Sequence, residues 1–116
     1  MTRSLRTTRE FAKVYAEGDK RVGRLLVLYL LAAEDDARGV VASRKVGKAV
    51  QRNRAKRLLR EALRSGAVET CLAARARRPD NPGCWIVLVA RRDILTAGIH
   101  DVCGELDSLL PRLTNP

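Results

Sequence analysis

Cysteine is scarce in this chain, and its spacing is uninformative: Cys71, Cys84 and Cys103 are odd in number and form no C-x-x-C pair. A disulfide framework is therefore not expected, which suits a reducing, cytoplasmic setting. Long apolar runs are absent too. The longest, residues 25–33, has nine residues and cannot span a bilayer. The basic N-terminus is not followed by an apolar stretch of the secretory kind, so no signal peptide and no membrane partner are expected. Histidine occurs once, as His100. A zinc site from His100, Cys103, Cys71 and Cys84 is conceivable, but the spacing matches no familiar zinc module. Asp35 and Asp36 read as turn residues. The chain thus offers no convincing acid–base pair or metal-holding carboxylates for hydrolysis, and neither catalytic residues nor a protein-bound metal are expected. Aromatics are limited to Phe11, Tyr15, Tyr29 and Trp85.

Basic residues, by contrast, are abundant. The formal net charge is +10 and the pI is near 10.6, while 46% of residues are hydrophobic. That hydrophobic share excludes a disordered basic tail. The 116 residues fit one compact domain, expected over 1–116. The excess charge is concentrated: residues 44–64 hold nine basic groups and one acidic group, whereas residues 65–116 are balanced at six and six. One segment dominating the charge is the footprint of a surface that docks on a polyanion.

Periodicity and turn signals give an outline. Thr7 or Thr8 can cap a first helix with Glu10 in its first turn, and Gly18 ends it. Residues 25–33 read as a strand, Glu34-Asp35-Asp36 as a turn, and residues 39–43 as the second strand of that hairpin. A basic loop over 44–50 carries Gly47, and a helix follows over 52–64, stopped by Ser65-Gly66. Pro79, Asp80, Asn81, Pro82 and Gly83 mark an irregular stretch within 67–83. Residues 84–90, CWIVLVA, have buried-strand character. A last helix spans roughly 99–113, with Pro111 casting doubt on its final turn. Helix, strands, helix, strand, helix suggests an α+β sandwich.

On a helical wheel, Ala55, Leu58, Leu59, Ala62 and Leu63 fall on one arc of the 52–64 helix. Arg52, Lys56 and Arg60 form an i, i+4 row beside it, and Asn53, Arg57 and Arg64 a second row. Like charges so spaced repel by ~0.2–0.5 kcal/mol per pair. Arg52 and Arg54 also stand near the helix N-terminus, where the dipole disfavours cations. An external anion such as phosphate answers both problems. Asn53 has a plainer role open to it, as a cap. Phe11 and Tyr15 share one helical face, and periodicity does not distinguish core packing from a stacking platform for unpaired bases, worth ~1–3 kcal/mol per base. Trp85, within an apolar run, reads as core.

The stretch from Gly39 through Ser43-Arg44-Lys45-Val46-Gly47 to Arg52-Asn53-Arg54 and on to Glu61 is very similar to the signature of the bacterial ribonuclease P protein component. The segment Glu10-Phe11-Ala12-Lys13-Val14-Tyr15 resembles that family's first helix, Leu28-Tyr29 its second strand, and residues 87–91 its last. The similarity covers most of residues 5–113.

The resemblance implies an α+β sandwich like the second domain of a small-subunit ribosomal protein. It implies three helices on a mostly antiparallel sheet of about four strands, in the order α-β-β-β-α-β-α. A left-handed strand–helix–strand crossover around the arginine helix is implied as well, against the usual right-handed rule. In function it implies the protein subunit of a ribonucleoprotein that removes the 5′ leader of precursor tRNA. The RNA would carry the catalytic site and its Mg2+, and the protein would act as a monomer in a 1:1 particle. The implied contacts to the catalytic RNA are Arg44, Lys45, Lys48, Arg52, Asn53, Arg54, Lys56, Arg57 and Arg60. Phe11, Tyr15, Tyr29 and Ser43 would hold the leader, in a cleft between the first helix and the sheet. The chain departs from the pattern at Arg44, where lysine is commoner. It departs again at Gly83-Cys84-Trp85, which lacks the usual aspartate, and in its longer 67–82 segment. A structural RNA-binding protein of ribosomal type is the alternative. The Phe11, Tyr15 and Tyr29 set combined with the 43–61 block separates the two.

Overall fold

The computed structural model describes residues 2–64 and 83–110. Cys71, the Ser65-Gly66 stop, the 67–82 segment, Pro111 and Leu113 lie outside the described residues. In chain order the elements are β1 (Thr2–Ser4), α1 (Thr8–Glu17), β2 (Asp19–Val22), β3 (Leu26–Ala33), β4 (Asp36–Val41), α2 (Ala49–Leu63), β5 (Gly83–Ala90), a 3-10 turn (Arg92–Thr96) and α3 (Ile99–Leu109). From α1 onward this is the implied order, preceded by the unforeseen β1.

The strands form one sheet in the order β1-β4-β5-β3-β2. β3 pairs antiparallel with both β2 and β5, while β4 pairs parallel with β1 and β5. The sheet therefore has five strands and is mixed, rather than four and mostly antiparallel. The expected hairpin is also corrected: β3 and β4 are not neighbours, because β5 lies between them. The cause is the composition of β5. Its alternate residues Cys84, Ile86, Leu88 and Ala90 are buried on one face, while Val87 is buried and Trp85 and Val89 half-buried on the other. A strand apolar on both faces is most stable at the centre of a sheet. The strand expected over 39–43 is Asp36–Val41, so that β4, α2 and β5 make a parallel crossover.

The two faces are covered differently. On one, Leu26, Leu28 and Leu30 of β3 meet Ala55, Leu59 and Ala62 of α2 and Val102 and Leu106 of α3. On the other, Val14 of α1 packs with Leu5, Ala37 and Val87. That second cluster is small, and α1 has only ten residues.

Polar contacts fix the helices. Thr7, not Thr8, caps α1: its hydroxyl accepts from Glu10 N–H at 3.1 Å. The Glu10 carboxylate in turn accepts from the N–H groups of Arg6 and Thr7 and pairs with Arg3 at 2.6 Å. These bonds, the Arg6 N–H first and Arg3 next, hold its carboxyl down to about 2. Arg3 also binds Asp35 at 2.6 Å, tying β1 to the β3–β4 turn. On α3, the Glu105 carboxylate accepts N–H donors from Arg24, Leu25 and Leu26 at 2.8, 2.7 and 2.9 Å. This clamps the helix to the entrance of β3. α3 ends at Leu109, short of the expected 113, and Leu110 is extended, the conformation a following proline imposes.

Two predictions follow from these carboxylates. Glu10 has a depressed folded value, so its contribution is complete above the ordinary glutamate range and is lost as pH falls towards 2. The thermal midpoint of the wild type should drop across that window, and Glu10→Gln should flatten the drop. Glu105→Ala leaves three backbone donors without their acceptor and should cost roughly 2 kcal/mol in urea unfolding. An unchanged midpoint would mean water replaces the carboxylate fully.

Candidate nucleic-acid interface

The turn before α2 is built to present charge. Val46 is buried and anchors it, its N–H donating to the Ser43 carbonyl at 3.0 Å. Ser43, Arg44 and Lys45 are left exposed. Gly47 follows with φ +150°, a conformation that side-chain-bearing residues rarely adopt. The helix then begins at Ala49, three residues before the expected start. The Gln51 side chain accepts from Lys48 N–H at 2.8 Å, and Arg52 N–H bonds the Lys48 carbonyl at 2.9 Å. The capping role considered for Asn53 is thereby excluded: Asn53 lies inside the helix and is exposed.

Along α2, Ala55, Leu59, Ala62 and Leu63 are buried, and Leu58 is half-buried. Arg54, Arg57, Arg60 and Arg64 are exposed, while Arg52 and Lys56 are half-buried. A hollow of about 590 Å³ is lined by Asn53, Lys56, Arg57, Arg60, Glu61 and Arg64. Among the described residues, the ion pairs all involve Arg3, and none engages the cations of 44–64. This face of the protein is charged and concave, and among the described residues Glu61 is the one acid in the lining of the hollow.

The opposite face of the sheet carries the rings. Phe11 and Tyr15 are 6.4 Å apart, and Tyr15 meets Tyr29 edge-on at 4.9 Å. Tyr15 is 43% exposed, so the set is not closed core. Burial, and then the neighbouring Tyr29, push the Tyr15 hydroxyl above its ordinary value. Lys20 of β2 sits 6.0 Å over the Tyr29 ring. Beyond Tyr29 the register aligns Val41, Val89, Val27 and Val22 across four strands. The first three are half-buried and Val22 is 57% exposed. Rings and valines together form an open apolar floor flanked by α1.

Phe11, Tyr15 and Tyr29 are thus brought together, and Ser43 is exposed in the turn after β4, two residues beyond Val41. Lys20 and the valine row escaped the sequence reading. The odd-numbered positions of β3 (Val27, Tyr29, Leu31) were the available signal. Trp85 is not simple core. It is half-buried, donates to Asp35 at 2.8 Å and lies beneath Arg3 and Lys13 at 5.2 and 5.7 Å. Cys84 is buried and Cys103 half-buried, and among the described residues no three His, Cys, Asp or Glu side chains gather as a metal site. No helix among the described residues is long and apolar enough to cross a membrane.

Known proteins resemble this chain in sequence and in fold. A ribonuclease P protein component of Clostridioides difficile (strain 630) is 34% identical over 113 residues, covering 96% of this chain and 91% of its own. One from Clostridium botulinum (strain Langeland) is 45% identical over 110 residues, covering 93% and 91%. The solved ribonuclease P protein of Thermotoga maritima superposes with a TM-score of 0.72 at 25% identity, covering 97% of this chain and 98% of its own. That of Staphylococcus aureus superposes at 0.71 with 21% identity, over 92% and 91%, a likeness of fold. The family model for ribonuclease P matches residues 1–114, and the chain belongs to the ribonuclease P protein family.

Proposed function

We propose that this chain is the protein subunit of a ribonucleoprotein that removes the 5′ leader of precursor tRNA. It contacts a large catalytic RNA with α2 and the preceding turn, and holds the unpaired leader on the ring-and-valine floor. The supporting observation is the pairing of two unlike surfaces on opposite faces of one sheet. A folded RNA presents phosphates, which suit arginine forks and lysines that pair with no carboxylate among the described residues. An unpaired strand presents base faces, which suit half-exposed rings whatever the sequence. Arg44, Lys45, Lys48, Arg52, Asn53, Arg54, Lys56, Arg57 and Arg60 serve the first surface, and Phe11, Tyr15, Tyr29 and Ser43 the second.

Cleavage itself falls to the RNA. The Mg2+ ions belong on RNA and substrate phosphates, because the concentrated positive charge of α2 repels a divalent cation. The protein works as one copy per catalytic RNA, in the cytoplasm.

The deciding experiment is cleavage of a 5′-leadered precursor tRNA by the catalytic RNA at low Mg2+, with and without the protein. Stimulation is expected; none would favour a purely structural RNA-binding protein of ribosomal type. Phe11→Ala with Tyr15→Ala should weaken precursor tRNA by about tenfold or more while sparing mature tRNA. Equal loss for both ligands in a folded variant would make the rings core. Arg54→Ala or Arg57→Ala should weaken the catalytic RNA and lower the salt slope by about one.

A further inference from the structure

β1 covers only half of its neighbour. It pairs with residues 36–38 of β4, the Leu5 N–H takes the Arg38 carbonyl at 2.9 Å, and the chain then turns away into α1. β4 continues to Val41 with β5 on one side and, among the described residues, no strand on the other. A pocket of about 400 Å³ opens at this step in the sheet edge.

The walls of the pocket are chemically divided. Leu5, Phe11 and Leu63 supply apolar surface, and Gly39 and Val40 bring strand backbone to the floor. Glycine at 39 lets the Phe11 ring lie close over the strand, since a Cβ would meet it at 2.8 Å. Arg38, Arg60 and Arg64 supply charge. Arg38 donates to the carbonyls of Ala37 and Cys84 at 3.0 and 3.1 Å, which fix one end of its guanidinium. Among the described residues none of the three arginines meets a carboxylate.

We infer that this pocket receives one extruded nucleotide of the catalytic RNA, an inference that rests on the proposed function. The volume lies within the range of small-ligand sites. The arginines match a phosphate, and the apolar wall matches a base. Phe11 belongs both to this wall and to the ring set on the leader floor. A nucleotide held here therefore lies next to the leader strand and sets the register between the two RNAs. A protein strand added to the open edge would have no use for three arginines, whereas a nucleotide engages them and the apolar wall together.

The test is nucleotide-resolution chemical probing of the catalytic RNA with the full-length protein at saturation, together with its affinity. In the wild-type complex one unpaired nucleotide should be protected. Arg38→Ala with Arg64→Ala should restore its reactivity and weaken binding by about tenfold. Ser4→Trp fills the pocket mouth and leaves every arginine in place, so it separates occupancy from folding and charge. It should expose the same nucleotide. Arg57→Ala should weaken binding yet keep the protection, and Arg92→Ala on the 3-10 turn should change neither. If both pocket variants retain the wild-type footprint at saturation, the nucleotide site is overturned. If the wild type does not bind the RNA at all, it is the ribonuclease P role that fails.

Discussion

The central position of β5 is the constraint from which the rest of the structure follows. A strand reading CWIVLVA has apolar side chains on both faces, so it needs cover above and below and a neighbour on each edge. Placing it between β3 and β4 satisfies all four demands and separates two strands that a short turn would otherwise pair. The cover is unequal. α2 and α3 seal one face, while α1, a ten-residue helix about 15 Å long, spans only part of the other. What α1 leaves uncovered is the floor of rings and valines. The open groove is thus a consequence of one short helix against a five-stranded sheet.

The same geometry accounts for the step at β1. Arg3 bonds both Glu10 and Asp35, joining β1 to the first turn of α1 and to the β3–β4 connection. That junction holds β1 to the start of β4 and sends the chain away after Ser4, leaving the later part of β4 as an edge. Exposed edges invite unwanted pairing. Here the edge is flanked by arginines, which discourage another strand and favour an anion.

Much of this could be read from the sequence, and what could not has a physical reason. The apolar stripe of α2, the capping pair of Thr7 and Glu10, and the buried run of β5 are local patterns of period and composition. β2, with sequence DKRV and every residue exposed, has no alternation to reveal it. β1 is three residues long and owes its existence to a partner more than thirty positions away. The false hairpin had the same origin: Glu34-Asp35-Asp36 is a genuine turn signal, but a turn does not say whether a third strand will enter between its arms. The start of α2 was missed because Gln51, not Asn53, supplies the acceptor, at a position where glutamine carries little signal. In the candidate site the cations were visible as charge. The valine row appeared only once register had aligned four strands.

The carboxylates are placed to serve the fold. Glu10 receives two backbone N–H groups and Arg3; Asp35 receives Arg3 and the Trp85 indole. Asp36 receives Cys84 N–H, Asp101 receives Gly98 N–H, and Glu105 receives three donors at the start of β3. Each of these acids is engaged in holding the fold, away from α2. Had they been distributed along the helix as i, i+4 partners, α2 would be an ordinary solvated surface with its charge answered locally. Because they serve caps and clamps instead, Glu61 alone among the described acids stands within the 44–64 block, most of the repulsion among its cations remains in the free protein, and the proposed RNA partner would relieve it. Among the described residues, the acids that stabilise the sheet are therefore ones the arginine face does without.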